Sequence, residues 1–403
     1  MTNIRKALDQ PIYKHILEMA KIAGKLGKKE NTRVYVVGGV VRDLILGREI
    51  QDLDLMVEGD GILFARKLAT TVGIKKIVPF EKFGTALIPN KLFQIEVASS
   101  RMEQYDSKSR KPSEVKYAKL KEDLKRRDFT INAMAMDIHP EKFGELLDPL
   151  GGVADLGKEI LKTPMDPDKT FSDDPLRMMR AAYFASKLNF KIESKCRSSM
   201  VKQSVRIKIV SWERVRDEFI KILMTVRPSV GLTILQKTGL MKIVFPEIDI
   251  MYDMKQSPDW HHKDIFAHTL QVVDNASKLT EKMEIRFAAL VHDIAKPNTR
   301  KIDSKKGYTF HGHDAIGEKM LNKVAKRMRL SNYLGKYLKK LTLLHLRPIT
   351  LVKSEVTDSA VRRLMVSAGE ELKDLMILCR ADITTKKPKI FKRYLSNFNL
   401  VEE

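Results

Sequence analysis

The chain has 403 residues, a length suited to two or three domains with real cores. Its 74 Lys and Arg against 51 Asp and Glu leave a net charge of +23. A compact body carrying that excess repels itself unless an anionic partner screens it, so nucleic acid is the first candidate partner and an anionic membrane surface the second. An apolar share of 43% excludes general disorder, and the two cysteines, Cys196 and Cys379, argue against a disulfide framework. No apolar run approaches the roughly 18 residues of a membrane span, and the N-terminus lacks the apolar stretch of a signal peptide. The expectation is a soluble, cytoplasmic, basic protein.

The spacing predicts a helix over 11–28, with Asp9 as a candidate cap and Ile12, Ile16, Met19, Ala23 and Leu26 on one apolar face. A β-branched strand over 34–37 ends at Gly38-Gly39, and a helix follows through Leu46. A second strand over 53–57 carries Asp52 and Asp54 at its start; a helix over 62–72 and strands over 85–88 and 93–98 come next. Alternating strands and helices predict a small mixed α/β domain ending near residue 160. Beyond it strand signals nearly vanish, and helices are expected over 174–188, 211–225, 229–238, 264–279, 284–294 and 315–328. Basic residues spread along this part, from Lys187, Lys191, Lys195, Arg197, Lys202, Arg206 and Lys208 to Lys336, Lys339 and Lys340. One such run is usually a solvated face; their sum favours a polyanion-binding surface.

Four local patterns carry chemistry. Gly38-Gly39-Val40-Val41-Arg42-Asp43 follows a strand and opens a helix, where glycines let a phosphate approach and free N–H groups face it; read alone such a pair is more often a plain turn. Asp52 and Asp54, two apart on a strand, point to one side and repel unless a cation sits between them; the solvated strand end is the competing reading. Arg126, Arg127, Asp128 and Asn132 crowd together and suit phosphate and sugar hydroxyls, or else a charged helix end. Asp174, Arg177 and Arg180 recur every three residues at a helix start, as either a cap with ion pairs or a binding face.

In this order and spacing, Gly-Gly-x-x-Arg-Asp, Asp-x-Asp, Arg-Arg-Asp-Phe-Thr-Ile-Asn-Ala and Asp-Pro-Leu-Arg-x-x-Arg resemble the class II tRNA nucleotidyltransferases over residues 31–250. That family comprises the bacterial CCA-adding enzymes and poly(A) polymerases. Arg101-Met102-Glu103-Gln104-Tyr105, with Pro112 and Val115, is similar to the flexible-loop region of CCA-adding members. The resemblance implies that Gly39 and Arg42 contact nucleotide phosphates and that Asp52 and Asp54 hold catalytic Mg²⁺. It puts Arg127 and Asn132 near sugar and triphosphate, with Arg126 beside them. Asp174 and Arg177 would face the base, and Arg180 would bind phosphate or brace Asp174. Cytosine and adenine each present an amino donor beside a ring-nitrogen acceptor, which a carboxylate and a guanidinium complement; uracil and guanine reverse that pattern. The chain departs from the family at Asp173, where Glu is usual, and at Tyr183, where many members have Arg.

The C-terminal part holds Trp260-His261-His262-Lys263 and His268, then His292-Asp293, His311, His313, His345 and Asp382. Imidazoles and carboxylates suit a divalent transition metal or Mg²⁺. This part resembles an HD phosphohydrolase domain, with His268, His292, Asp293 and Asp382 at its metal-ligand positions. Such a domain is either active or kept only as a body that grips tRNA.

The expected architecture is an α/β nucleotidyltransferase head over 1–160 with a small mixed sheet. An all-helical neck over 161–250 and an HD-type body over 251–403 follow. The expected reaction adds CCA to the tRNA 3′ end from CTP and ATP, using Mg²⁺, with a second divalent metal in the HD domain and no membrane partner. The alternatives are a poly(A) polymerase, a partial enzyme adding CC or A, an HD phosphohydrolase as the main activity, and a non-catalytic RNA-binding protein, against which the intact Asp52 and Asp54 speak.

Overall fold

The computed structural model describes residues 4, 10–105, 112–254, 264–304, 307–351 and 358–384, with the backbone alone for 102–105, 112–115 and 349–351. The candidate cap Asp9 and the Trp260-to-Lys263 segment lie outside the described residues. The chain forms two compact units, Met1–Arg177 with Lys191–Ser199, and Met178–Phe190 with Met200–Glu403.

In the first unit a 3-10 turn, Pro11–Tyr13, leads into α1 (Lys14–Lys29). The expected helix therefore begins one turn later, Pro11 fixing the entry geometry. β1 (Val34–Val37), α2 (Gly39–Leu46), β2 (Asp52–Val57), α3 (Gly61–Thr71), β3 (Val78–Phe80), β4 (Thr85–Ile88) and β5 (Gln94–Ser99) follow. A hairpin of β6 (Arg101–Tyr105) and β7 (Pro112–Tyr117) makes its own two-stranded sheet. Next come α4 (Leu120–Lys125), β8 (Ala135–Asp137) and β9 (Glu145–Leu147).

The main sheet has the order β3-β4-β5-β2-β1-β8-β9. β2 and β5 run parallel, and the other neighbours in this sheet are antiparallel. β1, entirely β-branched or aromatic and buried at all four positions, sits near its middle, as a strand covered on both faces should. A Cβ at Gly24 would lie 1.7 Å from the Ile138 carbonyl oxygen, so α1 reaches the end of β8 only because that position is glycine. β3, β8 and β9 were not expected from the sequence. Each has three residues, too few for a period of two to be read. α5 (Gly152–Gly157), β10 (Ile160–Leu161) and α6 (Pro167–Asp173) continue the unit. β10 pairs in parallel with β11 (Lys191–Ile192), a strand pair where only helices were expected.

α7 (Leu176–Leu188) begins in the first unit and continues into the second, and α8 (Ser194–Gln203) does the same. The second unit then adds α9 (Trp212–Leu223), α10 (Pro228–Lys237), α11 (Leu240–Val244), α12 (Pro246–Asp249), α13 (Ile265–Leu279), α14 (Met283–Val291) and α15 (Lys296–Thr299). A hairpin of β12 (Lys301–Asp303) and β13 (Gly307–Thr309) precedes α16 (His313–Arg327), α17 (Asn332–Leu344), α18 (Leu346–Leu351), α19 (Asp358–Ala368) and α20 (Leu372–Asp382). Asp264 caps α13 by accepting the Ala267 N–H at 2.6 Å, which accounts for the expected start.

Phe219, Phe245 and Phe287 pack ring to ring, with centroids 5.7–6.3 Å apart. Arg286 is buried beside them and donates to the carbonyls of Thr280, Leu223, Thr225 and Ser277. Those four bonds satisfy the charge and stitch α9 to the end of α13. Among the described residues no helix is long and apolar enough to cross a membrane.

Candidate active site in the head and a histidine cluster in the helical body

β1 delivers Gly38 at φ 73°, a left-handed conformation that glycine tolerates, and the chain turns at once into α2. A Cβ at Gly38 would lie 2.9 Å from Arg127 Nη1 and 3.7 Å from Asp54 Oδ2. The turn, the guanidinium and the carboxylate are therefore immediate neighbours, although they are far apart in sequence. Asp52 and Asp54 alternate with buried Leu53 on β2 and so share its open face.

The parallel register pairs Asp54 with Glu96 of β5 and brings a third carboxylate to the site. Burial first, then the charge of Glu96 and that of Asp52, push Asp54 up to about 6 against the pull of Arg127 and Arg42. Like charges held together at a partly buried point are the donor set a divalent cation neutralises.

The remaining polar groups form two chains of contacts. Arg42 is buried and clasps its neighbour Asp43 (Nε to Oδ1 2.9 Å, Nη2 to Oδ2 2.7 Å), while its Nη1 donates to Asn132 Oδ1 at 2.6 Å. Asn132 Nδ2 in turn donates to Asp128 Oδ1 at 3.0 Å. Arg126 and Arg127 both donate to the buried Asp123, at 2.6 and 3.1 Å. Burial alone would raise the Asp123 carboxyl, but Arg127 and then Arg126 outweigh it and hold it low. Gly39 opens α2 close to its own Arg42, whose Nη2 is 3.4 Å from where a Cβ would stand.

Asp174 lies between α6 and α7, and its Oδ1 accepts the Leu176 N–H at 3.2 Å. Arg177 is buried and donates to the carbonyls of Thr170, at 3.2 Å, and Arg126. Asp174, Arg177, Arg126 and Arg127 all fall in the first unit. Arg180 falls in the second, where it faces Glu218 at 3.8 Å and stacks over Phe184. Tyr183 also packs on Phe184, with ring centroids 5.0 Å apart. Lys187, Lys191, Lys195, Arg197, Lys202 and Lys208 are exposed.

The helical body gathers His268 of α13, His292 and Asp293 after α14, and Asp382 at the end of α20. His268 Nε2 lies 3.0 Å from Asp382 Oδ1 and 3.4 Å from Asp293 Oδ2. His292 Nε2 lies 3.1 Å from Asp293 Oδ2 and 3.5 Å from Asp382 Oδ1. His313 and His345 join from the opposite side, 3.2 and 3.8 Å from Asp293 Oδ1. The six residues divide into two ligand triads, His268-His292-Asp382 and Asp293-His313-His345.

Three of the imidazoles are oriented alike. Nδ1 of His292, His313 and His345 faces the carbonyl oxygen three residues earlier, at 2.9, 2.7 and 2.6 Å. A carbonyl only accepts, so Nδ1 carries the proton and Nε2 is turned inward, the arrangement that prepares a histidine for a metal. His292 Nε2 and Asp293 Oδ2 are buried side by side, 3.1 Å apart, without an aligned hydrogen bond between them. Lys296 Nζ stands 2.6 Å from the same Asp293 oxygen.

Burial opposes the imidazolium of His292, but Asp293 and Asp382 prevail and push it up to about 10. Burial, His292 and His313 press His345 down to about 4. With its folded value raised, His292 stabilises the metal-free fold fully below its ordinary 6.5 and loses that contribution as pH rises through about 10. A metal must displace this proton, so its affinity should climb with pH across that window. Calorimetric titration with Ni²⁺ or Mn²⁺ at pH 7.5, in buffers of different ionisation enthalpy, should show net proton release. Zero release would place a neutral His292 in the metal-free protein.

Sequence reasoning did not single out Glu96, Asp123, or the joining of His313 and His345 to the other four ligands. Alternation along β5, where Ile95 and Val97 are buried and Gln94 and Glu96 exposed, was the available signal for Glu96. For Asp123 it was an acid three and four residues before two arginines.

A carboxylate cluster at the mouth of a Gly-Gly turn in a mixed sheet, joined to a helical body with histidine and aspartate ligands, defines a nucleotidyltransferase head on an HD-type body. Residues 34–162 match the poly A polymerase head domain, 189–251 the probable RNA and SrmB-binding site of polymerase A, and 265–386 the HD domain. The chain is 34% identical over 378 residues to the Multifunctional CCA protein of Vibrio parahaemolyticus serotype O3:K6 (strain RIMD 2210633), covering 88% of this chain and 86% of that one. It is 36% identical over 274 residues to the A-adding tRNA nucleotidyltransferase of Geobacter sulfurreducens (strain ATCC 51573 / DSM 12127 / PCA), covering 67% of this chain and 29% of the relative. A solved CCA-adding enzyme, apo form II, superposes with a TM-score of 0.69 at 26% identity, covering 98% of this chain and 85% of that one. The chain belongs to the CCA-adding tRNA nucleotidyltransferase family, whose chemistry depends on a divalent metal.

Proposed function

We propose that this chain adds C, C and A to the 3′ end of tRNA from CTP and ATP without a nucleic-acid template. The observation that carries this reading is the meeting of Asp52, Asp54 and Glu96 with the Gly38 turn and Arg127. It occurs in a chain that matches a CCA protein over most of both lengths.

The tRNA 3′-hydroxyl attacks the α-phosphorus of the nucleotide and pyrophosphate leaves. Mg²⁺, which suits a few carboxylates plus substrate phosphates, would activate that hydroxyl and offset the charge on the phosphates when held by Asp52 and Asp54, with Glu96 beside them. The backbone at Gly38-Gly39 admits the phosphates closely, and Arg127 faces them. Arg42 and Asp128 fix both ends of the Asn132 amide, which then presents a set orientation to the sugar. Asp174 and Arg177 supply the acceptor and donor that C and A share and that U and G leave unpaired. The exposed lysines and arginines hold the tRNA backbone without reading its sequence.

The deciding experiment supplies CTP and ATP separately to tRNA ending at the discriminator base, at C and at CC, and sizes the products to the nucleotide. CCA addition requires two C and then one A; only A on tRNA-CC supports the A-adding alternative, and a long A tract supports a poly(A) polymerase.

A second activity is favoured by one observation, the inward-turned Nε2 atoms of a buried cluster whose ligand atoms form two triads. That cluster would hold one or two divalent metals and hydrolyse phosphate esters. If the purified protein hydrolyses no phosphate ester with Mg²⁺, Mn²⁺, Ni²⁺ or Co²⁺, the body serves as a scaffold.

A further inference from the structure

We propose that Asp123 is the positioning residue that ties phosphate placement to base selection in the head. The inference rests on the transferase reading above. Asp123 sits on α4 and is fully buried. Its Oδ1 accepts Arg126 Nη2 at 2.6 Å, Arg126 Nε at 3.0 Å and the Arg101 backbone N–H at 3.2 Å. Its Oδ2 accepts Arg127 Nη2 at 3.1 Å and Nε at 3.3 Å. One carboxylate thus engages two guanidiniums side-on, leaving Arg127 Nη1 as the nitrogen against Gly38 and near Asp54.

The second arm runs through the main chain. The Arg126 side chain is clamped by Asp123 and also donates to the Arg101 carbonyl at 3.1 Å, so its peptide is held in place. That peptide's carbonyl accepts Arg177 Nη2, and the Thr170 carbonyl accepts Nη1. The guanidinium beside the metal carboxylates and the guanidinium assigned to the base therefore share one anchor. Asp123 is buried behind both guanidiniums and would act through Arg127 and through the Arg126 peptide.

If Asp123 only supported the fold, its loss would lower thermal stability and leave nucleotide choice untouched. As a positioning residue it governs both arginines. Asp123→Asn keeps the shape but removes the charge, and should raise KM for CTP and ATP and cut kcat/KM about 10- to 100-fold, the cost of misplacing reacting groups by an ångström or less. It should also narrow the CTP:UTP and ATP:GTP ratios together. Asp123→Glu, which restores the charge, should recover part of the selectivity. Combined with Arg177→Ala, Asp123→Asn should narrow selectivity no further than Arg177→Ala alone, because both act on the same guanidinium.

Should Asp123→Asn fail to fold, Arg126→Met at a partly exposed side chain breaks the same clamp and should narrow the same ratios. A folded Asp123→Asn or Arg126→Met protein that keeps wild-type selectivity overturns the inference alone. An unaltered protein that transfers no nucleotide to any tRNA end overturns the transferase reading and this inference with it.

Discussion

Asp54→Ala should abolish incorporation of both CTP and ATP, by on the order of a thousandfold or more in kcat, while tRNA binding persists. The carboxylate stands between Asp52 on its own strand and Glu96 across the parallel register, close to Arg127. Binding survives because contacts to the tRNA backbone come from basic residues elsewhere. Gel-resolved single-nucleotide extension and a filter-binding titration at fixed salt separate the two quantities. Substantial transfer by a folded Asp54→Ala protein would mean that the head does not hold the metal through this residue.

The same site predicts an opposite effect on stability. Asp54 is pushed up to about 6 in the fold against an ordinary value near 3.8. A raised carboxyl contributes its stability below the unfolded value and loses it as pH rises through the folded one. The metal-free protein should therefore carry a burden of about 1–2 kcal/mol above pH 6, once the partial exposure of the carboxylate is allowed for. Asp54→Asn should melt higher than the unaltered protein at pH 8 without metal and equally below pH 4. Mg²⁺ should raise the melting temperature of the unaltered protein by more than that of Asp54→Asn, which keeps only the histidine cluster intact for metal. An equal response of both proteins to Mg²⁺ at pH 8 would remove the cation from this site.

On the proposed base-reading role, Arg177→Ala should lower kcat/KM for both CTP and ATP and narrow their advantage over UTP and GTP by about 10- to 1000-fold, because a buried donor that the wrong bases leave unpaired would be the source of rejection. The competing account is mechanical. Arg177 bonds the Thr170 and Arg126 carbonyls, and Asp174 accepts the Leu176 N–H as a helix-entry residue would. If those bonds were the whole role, the substitution would cost about 0.5–2 kcal/mol of stability and leave nucleotide choice alone. Rates for all four nucleotides on tRNA-C and tRNA-CC, with thermal melts in parallel, distinguish the two. Unchanged selectivity in a folded Arg177→Ala protein would reject the templating role.

Much of the fold was legible wherever the signal was local. The Val34–Val37 strand, the Gly38-Gly39 turn and the helix to Leu46 were bounded by β-branching and by glycine. The Ile265–Leu279 helix was bounded by its Asp264 cap. Asp52 and Asp54 could be placed on one face because strand side chains alternate whatever the strand pairs with. In the helical body, sequence supplied the ligand types but not their grouping. His313 and His345 stand in the sequence as plain histidines, and only the packing of α16 against α17 turns both Nε2 atoms toward Asp293.

The sequence by itself determined the charge, the local elements and the chemistry of the motifs, because composition, period and capping depend on residues within a turn or two of one another. The tertiary structure alone decided which strands pair, and so that Glu96 rather than another acid stands beside Asp54. It also decided that Arg42 is turned inward to Asn132 while Arg127 faces the Gly38 turn, and that Asp123 anchors two arginines at once. The physical reason is that strand register and the burial of a charge are fixed by the free energy of the whole packed sheet, in which each carboxylate and guanidinium must find its partner, and that energy has no expression in a short stretch of chain.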